Sequence, residues 1–218
     1  MTALDPLPRR ILGLIQERGL RTGDPMPTEL ELIDQLAVSR NTVREAIRSL
    51  RALGIVEIRH GHGTFVGEAS LHTLSPSLTF RALAGDIEGL RNLVEVRALI
   101  EIGTIRRLAG ELEAATLDRL DELCTRMEQV ELHAEADREF HHTLYAGLDN
   151  PLIGQLVDLF WTAYLDARAG MRVPESNATD CVADNHRAIL AALRTGDPEA
   201  ASQAMAAHFA DLQDRLTA

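Results

Sequence analysis

The chain has 218 residues, a formal net charge of −11, 45 % apolar residues and 25 % charged residues. These values exclude a disordered chain and leave room for one large domain or two modest ones. No apolar run reaches the ~18 residues a membrane helix needs, and ILGLI after Arg9-Arg10 is too short for a signal-peptide core, so a soluble, cytoplasmic protein is expected.

All 22 basic residues are Arg, and abundant Ala and Leu with few aromatics favour helices. The charge is uneven: residues 1–70 hold nine Arg and nine acids, so the whole excess of −11 lies in residues 71–218. Cys124 and Cys181 have no short-spaced partner, which fits two buried reduced thiols rather than a disulfide framework or a thiolate metal site.

In chain order, PLPRRILGLIQER (6–18) carries apolar residues at helical spacing, and RTGDPMP ends it in a turn. Thr28 with Glu31 predicts a capping box for a second helix that buries Leu32, Ile33 and Leu36. Ser39 then caps SRNTVREAIRSLRAL, whose apolar stripe at 43, 46, 47, 50 and 53 leaves Arg40, Arg44, Arg48 and Arg51 exposed. Gly54 stops this helix, and IVEIR and GTFV alternate as two short strands around the tip HGHG.

Helix, tight turn and a second helix with basic residues near its N-terminus is the helix-turn-helix plan. Asn41 and Thr42 are placed to donate to phosphate, where the helix dipole adds positive charge. Five Arg against two acids give residues 37–66 a local charge of +3. The glycine-rich tip suits close approach to a duplex, with Arg59 or His60 along its sugar-phosphate edge.

The L…G…MP-T-E stretch, VSR-x-x-VREAI-x-x-L and G-x-GTFV together resemble the winged helix-turn-helix of the GntR family of bacterial transcription regulators, over residues 7–66. The resemblance implies that Arg40 and Arg44 contact bases and phosphates, with Arg48 on the same face, and that His60-Gly61 enters the minor groove. One departure is Glu29-Leu30-Glu31, where relatives often carry E-R-E, so one contact common in relatives is expected to be missing.

Residues 71–86 lose periodicity and read as a linker, with room for one short helix around SLTFRAL. The divisions expected are therefore a DNA-binding domain over 1–70, the linker, and a domain over 87–218. Helical patterns follow at about 87–109, 114–132, 135–148, 151–170, 178–195 and 197–216, broken at Gly110, Asn150-Pro151, Val173-Pro174 and Gly196-Asp197-Pro198. The fold class is mainly α, a winged helix-turn-helix followed by an all-α bundle of six or so helices.

Within the bundle, Asp137 and His141 lie four apart on one helix face, and His186 and His208 sit among apolar residues. A carboxylate with three imidazoles suits zinc, nickel or manganese. Spacing alone leaves open that these histidines are core residues, and His133, four before Asp137, is an equally spaced rival. His142 points about 100° away from His141 and reads as a surface residue.

EVRALIE (95–101), D-x-x-F-H-x-x-L…N-P and the two later histidines resemble the FCD ligand-binding domain of the FadR-type branch of the GntR family. That resemblance implies a divalent metal, zinc first, on Asp137, His141, His186 and His208. It also implies a small carboxylate or hydroxyacid effector clamped by Arg97, whose other reading is an intrahelical pair with Glu101. Asn185, Tyr145 and Trp161 are further candidates for the cavity.

The expectation is a ligand-responsive transcription regulator, a repressor, binding a short inverted repeat as a homodimer, and not an enzyme. One alternative is a DNA-binding protein whose C-terminal domain is metal-free and only dimerises. The other is a metal-dependent hydrolase with a DNA-binding module, disfavoured because no further acid or base accompanies the ligands.

Overall fold

The structure is a computed structural model describing residues 6–129, 131–171 and 179–216, with the side chains of 179–181 left aside. The chain divides into two compact units, Met1–Leu74 and Ser75–Ala218.

In the first unit, α1 (Pro6–Glu17), α2 (Glu29–Leu36) and α3 (Arg40–Ala52) precede β1 (Val56–Arg59) and β2 (Gly63–Val66). The caps do what the sequence asks of them. The Thr28 hydroxyl accepts from the Glu31 amide while the Glu31 carboxylate accepts from the Thr28 amide, and Ser39 accepts from the Thr42 amide. Ala37 in the left-handed region at φ 52 turns the chain between α2 and α3. Ile11, Leu32, Leu36, Val43, Ile47 and Leu50 are buried together as one core. Leu53, expected on that stripe, is exposed, and Ile33 is half-buried, because α3 ends at Ala52 and α2 is too short to wrap further.

The strands pair antiparallel from Val56↔Val66 to Arg59↔Gly63. Residues 23–26 form a third edge: the Gly23 amide donates to Val66 O, the Met26 amide to Thr64 O and the Val66 amide to Asp24 O. The wing is therefore anchored at its base and left open at its tip.

In the second unit, α4 (Ser75–Ala84), α5 (Asp86–Ile105), α6 (Ala114–Arg126), α7 (His133–Tyr145), α8 (Pro151–Met171), α9 (Thr179–Thr195) and α10 (Pro198–Arg215) make an all-α bundle. Contacts run α8 to α7, α6, α9, α10, α5 and back to α8, a closed ring of six helices, with α4 laid on α5 and α8. Within residues 71–86, read as a linker with room for one short helix around SLTFRAL, Leu71–Leu74 form a 3-10 turn and Ser75–Ala84 that helix, whose Ala82 joins the core. The cause is local, since Leu78 and Ala82 stand one turn apart and have apolar faces to meet. Cys124 is a buried free thiol, and burial pushes its pKa up to about 12. The side chain of Cys181 and the expected break at Val173-Pro174 lie outside the described residues.

The α4–α5 corner needs glycine. A Cβ on Gly89 would stand 2.1 Å from the Ala82 carbonyl oxygen, whereas one on the exposed Gly103 of the same helix meets nothing within 4 Å. Gly89→Ala should therefore destabilise the protein by about 1–3 kcal/mol through a clash with backbone. Gly103→Ala should stabilise it by about 0.5–1 kcal/mol, the ordinary helical gain. Thermal melts of the two variants check this, and equal melting temperatures would refute the close approach.

Candidate metal centre and nucleic-acid interface

Three helices deliver the centre because each carries polar residues on its apolar face. On α7, Asp137 and His141 share the inward side with Ala136, Phe140 and Leu144. His186 on α9 comes inward with Val182, Ile189, Leu190 and Leu193, and His208 on α10 with Ala201, Met205 and Phe209. All four polar residues are buried, and a ligand atom from each of the three histidines lies within 4.8 Å of the others.

His186 Nε2 and His141 Nε2 stand 3.0 Å and 3.4 Å from Asp137 Oδ1, and 3.3 Å from each other. The outer nitrogens are spoken for. His186 Nδ1 donates to the Val182 carbonyl at 2.7 Å, and His141 Nδ1 meets the Glu101 carboxylate. That pattern leaves the Nε2 lone pairs of both rings facing inward, the arrangement in which carboxylates and carbonyls orient metal-binding imidazoles. His208 has no hydrogen-bond partner at either ring nitrogen among the described residues, although it is buried. A buried polar group left so costs about 1–3 kcal/mol, which a bound cation would relieve.

Charge follows the same logic. Burial opposes ionisation of Asp137, but the neighbouring imidazoles of His186 and His141 hold its carboxyl well below the usual range. Burial and the neighbouring imidazoles of His186 and His141 hold His208 well below an ordinary histidine, so it stays a neutral donor. Burial resists the Glu101 charge, yet Arg97 and His141 lower its pKa, and Glu101 in turn raises that of His141 against its own burial. One carboxylate oxygen and three imidazole nitrogens fit a borderline divalent ion.

A cavity of about 80 Å³ opens on this cluster, with Asp137 and His208 in its wall. Of the effector-binding residues expected from the sequence, Arg97, Asn185 and Tyr145 are not in its wall. Arg97 is buried, gives its Nε to Glu101 and stacks on the Trp161 ring at 4.0 Å, so the intrahelical pair is what forms. Asn185 turns to Asp211, donating at 3.0 Å. Tyr145 lies buried with its hydroxyl beside Glu101, and burial with that charge raises its pKa well above normal. Trp161 does border the cavity, together with His133, Tyr164, Arg168 and Arg215. His133, the rival ligand, stands outside the histidine cluster, and His142 is exposed. The repeated spacing of 161, 165 and 168 on α8 and of 208, 212 and 215 on α10 was the available signal for the missed residues.

In the first unit, Arg40, Asn41, Arg44 and Arg48 lie exposed along α3. Arg44 Nε donates to Glu29 at 3.1–3.2 Å and Arg48 pairs with Glu45, both in solvent, while the Thr42 hydroxyl is held 2.8 Å from Ser39 Oγ in the cap. At the wing tip His60, Gly61 and His62 are exposed, with Gly61 at φ 76 in the conformation that favours glycine. Arg59 is pinned beneath it, its guanidinium 4.2 Å from the Phe65 ring centre and 3.0 Å from Glu57. Leu30, where relatives often have Arg, is 61 % exposed.

Comparison with known proteins gives the same two parts. Residues 7–66 match the family described as bacterial regulatory proteins, gntR family, and residues 92–211 match the FCD domain. The chain is similar to the HTH-type transcriptional regulator LutR of Bacillus subtilis, 30 % identical over 94 % of this chain and 96 % of that protein. It is 29 % identical to the galactonate operon transcriptional repressor of Escherichia coli, over 89 % of this chain and 88 % of that protein. The solved structure of a GntR protein of Streptococcus agalactiae superposes with a TM-score of 0.66 at 29 % identity, covering 97 % of this chain and 98 % of that one. No described helix is long and apolar enough to cross a membrane. With both parts matched and these relatives spanning its length, the chain belongs to the GntR family of bacterial regulatory proteins, as a DNA-binding transcription regulator with an FCD domain, and is not an enzyme.

Proposed function

We propose that this regulator is a repressor that senses a small hydroxyacid at a metal ion held by Asp137, His141, His186 and His208. The observation that carries the reading is the buried, unpartnered His208 beside Asp137 in the cavity wall. Zinc is the first choice by donor set, with nickel or manganese as alternatives. Such an ion supplies open coordination positions for a carboxylate and a hydroxyl. The residues of the chain do the rest: Glu101 and the Val182 carbonyl fix the two imidazoles, and Arg97 holds Glu101 charged. The cavity exceeds the ~10–15 Å³ one water requires several-fold, so a small organic acid fits the same space. The galactonate operon repressor among the relatives is named for a hydroxyacid operon, which supports both the ligand class and the sign of regulation.

Residues 1–70 form the DNA-binding domain in this reading, and residues 87–218 the sensing and dimerising one, working in the cytoplasm. A homodimer sets two α3 helices and two wings on a short inverted repeat. Arg40 and Arg44 reach bases and phosphates, Asn41, Thr42 and Arg48 the backbone beside them, and His60-Gly61 the minor groove. The acids Glu29 and Glu45 hold Arg44 and Arg48 only at the surface, so phosphates replace them at little cost.

Purified chelator-free protein should contain about one divalent ion per chain, by elemental analysis. His208→Ala should lose it, and acidification should release it as the imidazoles protonate. Glu101→Gln should weaken metal affinity about 10–100-fold in a chelator competition, as expected for a group that orients a ligand. A native protein that stays metal-free after repletion would sink the centre.

For the DNA face, Arg40→Ala should weaken binding to an operator fragment selected from random duplexes. It should also lower the slope of log affinity against log salt by about one for each lost phosphate contact. An unchanged slope and affinity would remove Arg40 from the interface.

A further inference from the structure

The cavity beside the proposed metal centre has a second polar end that the centre does not use. Its wall is built along two helices that face each other across it. Trp161, Tyr164, Leu165 and Arg168 come from α8, and His208, Leu212 and Arg215 from α10, with Leu216 just past its end. Arg97 stacks on both Trp161 and Phe209, at 4.0 Å and 5.2 Å, which puts these two residues at the same level as the centre. From Trp161 to Arg168, and from His208 to Arg215, is seven residues, about 10 Å along a helix at 1.5 Å per residue. On α7 the wall runs the other way, from Asp137 back one turn to His133. The cavity thus has Asp137 and His208 at one end and His133, Arg168 and Arg215 at the other, with Ala134, Leu165, Val182 and Leu212 between.

The far end is built for an anion. The charged side chains that the described residues place there, Arg168 and Arg215, carry guanidinium groups, the donors best matched to a carboxylate. The Nδ1 atom of His133 is buried with no hydrogen-bond partner among the described residues. Arg215 uses Nε and Nη2 on Asp211, which also accepts from Asn185 and lies outside the cavity wall, and Nη1 takes no part in that pair. The charges of Arg168 and Arg215 both act on the Tyr164 hydroxyl between the two ends, as does that of Asp137.

Resting on the metal reading above, we propose that the effector is a diacid: a hydroxycarboxylate end at the metal, a short stem, and a second carboxylate met by Arg168, Arg215 and His133. This separates the three histidines of the centre from His133, which serves the opposite end of the same ligand.

The test compares two acids of equal chain length on the zinc-loaded full-length protein by calorimetry. α-Hydroxyglutarate carries a distal carboxylate and α-hydroxyvalerate does not. The native protein should bind the diacid about tenfold tighter or more, the size expected of a charge-assisted hydrogen-bond pair. In Arg215→Gln the preference should shrink to within about threefold, with zinc content and α-hydroxyvalerate affinity unchanged. Arg215→Lys should keep much of it, and His133→Gln should reduce it. Equal binding of both acids by the native protein, or a preference untouched in both Arg215→Gln and Arg168→Gln, overturns the diacid assignment and leaves the metal reading standing. Zinc-loaded protein that binds neither acid overturns both. The native comparison decides the matter even where a variant fails to fold.

Discussion

The helical unit depends on how four polar residues are tolerated at the middle of an apolar ring. Asp137, His141, His186 and His208 are buried among Phe140, Met205 and Phe209. Burying them unpaired would oppose folding, so each must be answered from the surrounding helices. The answer for His141 runs in a chain, Arg97 to Glu101 to His141. For His186 it is one backbone carbonyl on its own helix. His208 is left without a hydrogen-bond partner among the described residues, and of the centre's three histidines it is the one that borders the cavity. A fold that satisfies the outer nitrogens of His141 and His186 and leaves their inner ones facing a common point beside His208 is prepared to bind a cation there.

The same chain explains why Arg97 is not a residue of the cavity wall. A guanidinium in a dry interior needs a carboxylate, and Glu101, one turn on, is nearer than any ligand. With Arg97 stacked on Trp161 and Phe209, the pair becomes part of the floor that holds His141 in place. In the diacid proposal, recognition of the ligand's second charge falls to Arg168 and Arg215, both half-buried.

Charge is divided along the chain in a way that suits two different tasks. The first unit balances its acids and places its arginines on the outer face of α3, where Arg40 is open and Arg44 and Arg48 hold surface partners. Exposed pairs of this sort contribute little, about 0–1 kcal/mol, so they keep the face soluble without closing it to phosphates. The second unit carries the acidic excess, while its arginines are largely held in surface pairs such as Arg119 and Arg126 with Glu139. An acidic helical unit is repelled by a duplex, whereas the outer face of α3 keeps its arginines in solvent.

Local chemistry was legible in the sequence, and partnership across helices was not. The capping box at Thr28 and Glu31, the cap at Ser39 and the wing with its Gly61 tip are each written in a few adjacent residues, and each formed as read. Asp137 and His141 were legible for the same reason, four apart on one helix. Spacing could not say which histidine would pair with Asp137, because His133, four before it, stands at the same spacing as His141, four after, until the helices are placed. Nor could it tell whether Arg97 faces a ligand or Glu101, since both readings put the same side chain on the same face. What decides such cases is the depth of burial: at the ring's centre a charge takes its nearest partner, whereas toward the cavity's outer end Arg215 keeps Nη1 outside its pair with Asp211.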